Sequence, residues 1–110
     1  MRIYQRTDSH LFCGHWNDSP VEIGLLTRIL RQVPSHEQNH YHEYYLVLEG
    51  NAALTVEGET VPLVAGSLVM VEPGERHHVS WVDPDLGVRW AIIKERSEPD
   101  SKHVDSECGG

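Results

Sequence analysis

Residues 36–50 read HEQNHYHEYYLVLEG and residues 66–77 read GSLVMVEPGERH. Each stretch contains a run of apolar, aromatic or β-branched residues, and each run is followed by a glycine or a Pro-Gly pair. Short runs of this composition that stop at turn residues are typical of β-strands. Four of the eight histidines of the chain also lie in these two stretches. We therefore expect the same stretches to decide the fold and to contain the candidate site.

Further strands are predicted on both sides of these two stretches. Turn residues recur at short intervals along the chain, a pattern that is typical of an all-β sandwich or barrel. Residues 21–33 also carry apolar residues at helix-like spacing, but their β-branched content and an internal glycine favour a strand. The predicted strands cover 21–33, 40–48, 52–57, 60–64, 67–71, 77–82 and 87–94.

The charge of the chain excludes two classes of partner. Its 110 residues include 17 acidic and 9 basic side chains, which give a formal net charge of −8. Nucleic acid is bound through clustered Lys and Arg that neutralise phosphates, and an anionic membrane surface attracts the same residues. We therefore expect no nucleic-acid partner and no membrane partner.

The length predicts one domain, which we place at residues 1–94. Residues 95–110 are rich in acidic side chains, Ser and Gly, so we expect a solvated acidic C-terminal tail. The N-terminus lacks the apolar segment of a signal peptide, and no apolar run is long enough to span a bilayer. The two cysteines form no Cys-x-x-Cys motif. These features favour a cytoplasmic protein.

The histidines of the first stretch have the spacing of metal ligands on a strand. Residues two apart on a strand point to the same face, so His36 can aim with Gln38, and His40 with His42. Neutral imidazole is the commonest metal donor in proteins, and the carboxylate of Glu43 adds the negative charge that a divalent ion favours. The first stretch is therefore a candidate metal site.

The two stretches resemble the two motifs of the cupin superfamily. In the first motif a His, a second His, a Glu and a Gly follow one another at set spacing, and these positions fall on His36, Gln38, Glu43 and Gly50. The second motif runs from a Gly through a strand and a Pro-Gly turn to a His, which falls on His77. The resemblance is to the small single-domain cupins of type 2 and to the ligand-binding halves of AraC-type regulators. It implies a small cupin β-barrel, also described as a double-stranded β-helix or jelly roll.

The resemblance also implies a ligand set for a divalent transition metal. Gln38 stands where the family has a second His, and an amide oxygen shifts the preference towards Mn, Fe or Ni, with Zn still open. A bulge in the strand could instead bring in His42 or, after it, His40. A third possibility is that the same groups hydrogen-bond an organic ligand without a metal. The implied set comprises His36, Gln38, Glu43 and His77.

Two aromatic residues are candidates for a pocket beside this set. By strict alternation Tyr45 shares a face with Glu43, and Trp81 shares a face with His77. The resemblance implies a metal-dependent enzyme of the oxygenase, isomerase or lyase type that acts on a small organic molecule, with Glu43 as a ligand or general base. The alternative is a non-catalytic module that binds or senses a sugar or carboxylate. Because exposed strand edges in such folds often pair across a two-fold axis, we expect a homodimer.

Overall fold

The computed structural model describes residues 1–6, 10–28, 36–98 and 102–105. These residues form β-strands and one turn of 3-10 helix at His15–Asn17, with no α-helix among them, which confirms the predicted all-β class. Within the same ranges no helix has the length and hydropathy needed to cross a membrane. The strands are β1 Leu11–Cys13, β2 Glu22–Arg28, β3 His36–Asn39, β4 Glu43–Val56, β5 Glu59–Val64, β6 Leu68–Val71, β7 His77–Val82, β8 Val88–Lys94 and β9 Lys102–Asp105.

The strands form two antiparallel sheets that share β4. In the first sheet the order is β1-β2-β8-β4-β6, and in the second it is β5-β4-β7-β3-β9. The part of β4 up to Gly50 pairs with β6 and β8, whereas the part from Asn51 onwards pairs with β5. One strand therefore passes from one sheet into the other, and side chains on its inner side face a common interior.

The continuity of β4 differs from the sequence prediction, which has separate strands at 40–48 and 52–57. Gly50 lies inside the strand with φ +80°, a conformation that favours glycine. A Cβ at Gly50 would overlap the main-chain carbonyl oxygen of Gly87. The glycine therefore marks the crossing between sheets and a close backbone contact. The strand predicted at 21–33 is confirmed over Glu22–Arg28, and residues 29–35 lie outside the described part of the chain.

The core lies between the two sheets and draws on both halves of β4. Trp90 is fully buried and packs edge-on against Tyr45, with 5.3 Å between the ring centroids. Burial of each large apolar side chain contributes roughly 1.5–3 kcal/mol. The buried cluster consists of Tyr45, Val47, Ala52, Leu54, Leu63, Val71, Val88 and Trp90.

The segment after residue 94 contains a strand that its composition does not predict. β9 pairs with β3 in antiparallel register, from His36 opposite Asp105 to Asn39 opposite Lys102. Backbone pairing of this kind does not depend on apolar side chains, so a composition-based argument misses it. The division into a domain at 1–94 and a solvated tail at 95–110 stays a prediction.

Candidate functional site

Four polar side chains meet inside the molecule where β4 begins, and we call them the inner polar cluster: Asn39, Glu43, Tyr45 and His77. One oxygen of Glu43, Oε1, is at its centre. The Tyr45 hydroxyl donates to it at 2.9 Å, the Asn39 amide nitrogen donates at 3.2 Å, and His77 Nε2 lies 2.8 Å away. Glu43 and His77 are each 1% exposed. Burial of a carboxylate is unfavourable unless such partners hydrogen-bond to it, so these four side chains depend on one another for their positions.

Local structure explains why these residues meet. Glu43 and Tyr45 are two residues apart on β4 and therefore point to the same face. His77 opens β7 directly after a turn in which Gly74 has φ +82°. The Gly74 amide donates to the main-chain oxygen of Asn39 at 2.8 Å, which ties the end of β3 to this turn. The turn thus positions both His77 and Asn39 against Glu43.

The hydrogen bonds of His77 define where protons can lie. Its Nδ1 is 3.0 Å from the main-chain carbonyl oxygen of Glu75, which can only accept, so Nδ1 carries a hydrogen. The contact between Nε2 and Glu43 Oε1 then holds one proton. It pairs an imidazolium with a carboxylate, or a neutral imidazole with a carboxylic acid. The donors from Tyr45 and Asn39 favour the carboxylate form. The pair is therefore able to accept and return a proton.

Two buried polar atoms near the cluster have no hydrogen-bond partner within the described residues. They are Asn39 Oδ1, in the cluster itself, and Nε1 of Trp90, whose ring packs against Tyr45. Leaving a buried polar atom unsatisfied costs about 1–3 kcal/mol. Asn39 already donates to Glu43 through its nitrogen, so its oxygen is an acceptor at the edge of the cluster that a bound donor group would satisfy.

A cation lies next to the cluster. Lys94 of β8 is directly opposite Glu43 of β4, and directly paired residues project to the same face of a sheet. Lys94 Nζ is 3.0 Å from Glu22 Oε2, and both side chains are largely buried. Ser97 Oγ donates to the other oxygen of Glu22 at 3.3 Å. The Lys94–Glu22 ion pair therefore lies on the same face of the sheet as Glu43, at the adjacent register position.

The structure brings together three of the residues predicted for the site and separates others from them. Glu43, His77 and Tyr45 are in direct contact. Gln38 is exposed, and its amide nitrogen donates to the main-chain oxygen of Gly74 at 3.2 Å. The side chain of His36, also predicted as a ligand, lies outside the described part of the structure.

The two reserve ligands lie on other surfaces. His42 Nδ1 is 2.7 Å from Glu95 Oε2, and His42 alternates with Glu43 along the chain. The His42 backbone amide and, after it, the His42 side chain hydrogen-bond Glu95 and lower the pKa of its carboxyl. His40 is exposed. Neither histidine contacts Glu43 in this arrangement.

Trp81 differs from the prediction for a reason visible in the sheet. Strict alternation predicts that Trp81 shares the face of His77. In the pairing with β4, however, Ala53 is opposite Trp81 and Leu54 is opposite Val79, which leaves one extra residue in β7. A bulge of this kind reverses the alternation beyond it. Trp81 is 49% exposed as a result.

The residues of the inner cluster do not by themselves form a metal site. Within the described ranges no group of three or more His, Cys, Asp or Glu side chains is arranged to hold an ion. Glu43 and His77 supply two donors, whereas catalytic zinc sites use three protein ligands. Their Oε1 and Nε2 atoms also bond to each other. The divalent transition metal stays a prediction that needs a donor from elsewhere in the chain.

Two residues of this region were not predicted from the sequence. Asn39 lies one position beyond Gln38, and the spacing of the motif points to Gln38. Lys94 ends a predicted strand, but its position opposite Glu43 depends on the register between β4 and β8. For Asn39 the only local signal is a polar residue followed four positions later by Glu43, which is weak. For Lys94 a single sequence contains no signal.

Comparison with known proteins agrees with this architecture. A family model described as a cupin domain matches residues 31–94. The structure is similar to a cupin protein from Bacteroides fragilis, with a TM-score of 0.69 and 18% identity over 90% of this chain and 89% of that one. It is also similar to Pac13, a nucleoside dehydratase, with a TM-score of 0.73 and 17% identity over 96% of this chain and 91% of that one.

A Streptomyces Pac13 variant with uridine shows the same similarity, with a TM-score of 0.73 and 17% identity over 96% of this chain and 91% of that one. No curated protein matches the chain significantly. At these identities the structural likeness concerns the fold alone. It confirms the predicted cupin β-barrel.

Proposed function

The chain belongs to the cupin domain family, and we propose that it is an enzyme of the isomerase or lyase type with Glu43 as its general base. The observation that carries the proposal is the 2.8 Å contact between Glu43 Oε1 and His77 Nε2 inside the barrel. Asn39 and Tyr45 fix the same oxygen through further hydrogen bonds. Positioned acid–base groups of this kind contribute rate factors of about 10²–10⁴.

The reaction types follow from what the pair does with a proton. As a carboxylate, Glu43 removes a proton from the substrate, and the electron pair of the broken bond stays on the substrate. In an isomerase the proton returns to a different atom of the same molecule. In a lyase such as a dehydratase it leaves with a departing hydroxyl group as water. Tyr45 and Asn39 orient the carboxylate in both cases.

The surroundings of Glu43 support a small polar substrate. Glu43 and His77 are each 1% exposed, so a substrate reaches them only when the surrounding segments open, which favours a small molecule. Lys94 and Glu22 provide charged groups beside the pair. Pac13 shares the fold and is named a nucleoside dehydratase, and a variant of it was solved with uridine. This likeness supports small polar molecules as the substrate class.

The replacement Glu43→Gln tests the proposal because it keeps the size of the side chain and removes the base. A panel of hydroxy acids, sugars and nucleosides is incubated with the protein in D2O and followed by NMR for turnover and deuterium incorporation. We expect Glu43→Gln to lower turnover by about 10²-fold or more. Glu49→Gln, on the exposed side of the same strand, is the matched control. Full activity of Glu43→Gln would contradict the proposal.

The alternative is a non-catalytic module that binds a sugar or a carboxylate. The observation that favours it is the near-complete burial of Glu43 and His77, because a pair held this far from solvent by hydrogen bonds can stabilise the barrel without taking part in a reaction. Calorimetric binding of a panel member, without turnover and without deuterium incorporation, would establish this alternative.

The predicted divalent metal, and with it the oxygenase type, needs a separate test. Glu43 and His77 would be two of the donors, and His36 is the candidate for a third. Protein purified without chelator is analysed for Mn, Fe, Ni and Zn, alongside His77→Ala and the control His42→Ala. About one ion per chain that is lost only in His77→Ala supports the metal. An equal content in all three proteins counts against this donor set.

A further inference from the structure

The proposed base has a charged neighbour on the inner face of the first sheet. Glu43 of β4 lies between Val71 of β6 and Lys94 of β8, in a row that ends with Glu22 of β2. Directly paired residues project to the same face, with Cβ atoms about 4.5–5.5 Å apart. Val71 is buried and apolar. Lys94 therefore supplies the positive charge of this row.

The ammonium group of Lys94 is held in place by Glu22, and this contact uses one of its hydrogens. Lys94 Nζ lies 3.0 Å from Glu22 Oε2, and the Ser97 hydroxyl donates to the other oxygen of Glu22 at 3.3 Å. Within the described residues no hydrogen bond or ion pair joins Lys94 to Glu43. An ammonium group has three hydrogens to donate. Lys94 therefore keeps donors for a ligand without neutralising the proposed base.

Proton removal by Glu43 creates a negative charge that the interior has to stabilise. When a C–H bond of the substrate breaks, its electron pair stays on the substrate, and an anion away from water is costly without a cation or donors beside it. Tyr45 and Asn39 direct their donors to Glu43 itself. Lys94 is 13% exposed, and a charge in such partly buried surroundings acts more strongly than in water. Lys94 is therefore the group placed to face the new anion.

Asn39 provides a second feature of the same site. Its amide nitrogen donates to Glu43, and its buried Oδ1 has no hydrogen-bond partner among the described residues. A substrate hydroxyl would satisfy this oxygen. Asn39 belongs to β3 in the second sheet, whereas Lys94 belongs to β8 in the first. The base thus has an acceptor for a hydroxyl in one sheet and a donor for a developing oxyanion in the other.

We infer that Lys94 is a second catalytic residue, which binds the oxygen that becomes negative, and that the substrate is a small hydroxy-carbonyl compound. This inference rests on the proposed function. The Glu43 carboxylate takes a proton from the carbon next to the carbonyl group. The electron pair of that C–H bond forms a C=C bond, and the π pair of the carbonyl moves to its oxygen, which becomes an enolate. Lys94 Nζ donates a hydrogen bond to the enolate oxygen.

The enolate has two outcomes that conserve atoms and electrons. In an isomerase the proton returns from Glu43 to the former carbonyl carbon. The neighbouring hydroxyl gives its own proton to the enolate oxygen and becomes the new carbonyl. In a lyase the carbonyl re-forms and a hydroxyl group leaves from the next carbon, taking the proton from Glu43 to depart as water. Neither outcome needs an oxidant or a reductant.

Deuterium exchange of three carbonyl probes tests the substrate class. Glyceraldehyde, dihydroxyacetone and hydroxypyruvate each carry a hydroxyl group beside a carbonyl, and glycerol is the matched compound without a carbonyl. Each is incubated with the wild-type protein in D2O and compared by NMR with a sample that lacks protein. We expect protein-dependent deuterium at carbon in at least one carbonyl probe and none in glycerol. No incorporation above background in any of the three would overturn the inferred class.

Variants of the ion pair test the role of Lys94 on the probe that exchanges. We expect Lys94→Met to lower the exchange rate by about 10²-fold or more and Lys94→Arg to recover part of it. The double variant Glu22→Gln/Lys94→Met removes both charges, so no buried charge is left unpaired. We expect the double variant to be folded by far-UV circular dichroism and thermal midpoint, yet as slow as Lys94→Met. Arg89→Met, at an exposed position of the same strand, is the control.

The outcomes separate this inference from the proposed function. A wild-type rate in Lys94→Met together with a loss in Glu43→Gln would overturn the role of Lys94 and leave the base in place. A wild-type rate in both variants would overturn the proposed function and this inference with it. Recovery of the wild-type rate in the double variant would also overturn the role of Lys94, because the ion pair would then serve folding alone.

Discussion

The two sides of the first part of β4 reverse the usual distribution of polarity. The inner side carries Glu43 and the Tyr45 hydroxyl, whereas the outer side carries Tyr44 and Leu46. Soluble barrels normally place apolar residues inside and polar residues outside. The second part of the strand buries Leu54 in the core and places Thr55 outside, and it also places Ala53 on the outer side, opposite Trp81.

The comparison shows that a polar group inside the barrel and an apolar group outside it are tolerated for different physical reasons. A carboxylate inside is tolerated because three groups hydrogen-bond to one of its oxygens. Apolar groups outside are tolerated in a soluble protein when another surface covers them. We therefore relate the inner departure to the proposed acid–base pair, whereas Tyr44 and Leu46 on the outer side are partly buried.

The largest change in the unfolding free energy is expected from His77→Ala, which removes one member of the buried polar pair on the inner side of the barrel. The replacement leaves the buried Glu43 without its closest partner and opens a cavity. Removal of one member of a buried charged pair costs about 3–5 kcal/mol. Urea denaturation followed by tryptophan fluorescence measures the loss. His40→Ala, at an exposed position, should change the unfolding free energy little, and an equal loss in both variants would contradict the role of the pair.

A smaller effect is expected from Tyr45→Phe, which keeps the ring in the core and removes one donor to Glu43. A hydrogen bond to a charged group contributes about 1.5–3 kcal/mol. The same denaturation experiment measures the change, with Tyr44→Phe on the outer side as the matched control. If both replacements lower the unfolding free energy equally, the hydroxyl of Tyr45 contributes no more than that of Tyr44, which would contradict the role of its hydrogen bond to Glu43.

The smallest effect concerns Glu95, which pairs with His42 at the protein surface. Hydrogen bonds from the His42 backbone amide and side chain lower the pKa of Glu95 in the folded protein below its ordinary value. A lowered pKa contributes stability above the unfolded pKa, and this contribution is lost as the pH falls through the folded pKa. Wild type and Glu95→Gln should therefore differ at pH 7 and converge as the pH falls below about 4.5.

The prediction for Glu95 is checked by measuring the unfolding free energy as a function of pH. The control is Glu59→Gln at an exposed position of β5, which should follow the wild type at every pH. A difference between wild type and Glu95→Gln that persists at acidic pH, where the Glu95 carboxyl is protonated in both the folded and the unfolded protein, would contradict the assigned hydrogen bonds from His42.

Much of the fold is predictable because its signals are local. Runs of β-forming residues and the turns between them are read along the chain, and the all-β class and the cupin barrel are confirmed. The contact of Glu43 with Tyr45 follows from alternation within one strand. The contact of Glu43 with His77 was predicted through the two motifs. The glycine at Gly50 misled the strand prediction because a positive φ serves a turn and a strand crossing equally well.

The rest depends on non-local geometry. The exposure of Trp81 follows from one extra residue in β7, which is recognised only when its pairing with β4 is known. Asn39 rather than Gln38 contacts Glu43 because the turn at Gly74 holds the end of β3. Lys94 reaches the same region through a register that one sequence does not specify. Site residues on one strand are thus more predictable than those that meet across strands.

The pairing of β4 on both sides has a consequence for the dynamics of the molecule. Its residues 43–46 pair with β6 and β8, and residues 52–56 pair with β5 and β7. Amide hydrogens of a strand enclosed in this way exchange with solvent mainly through global unfolding, whereas edge strands open locally. Glu43 therefore belongs to the part of the barrel that opens most slowly. Any local opening that admits a ligand to Glu43 has to occur in the neighbouring loops and edge strands.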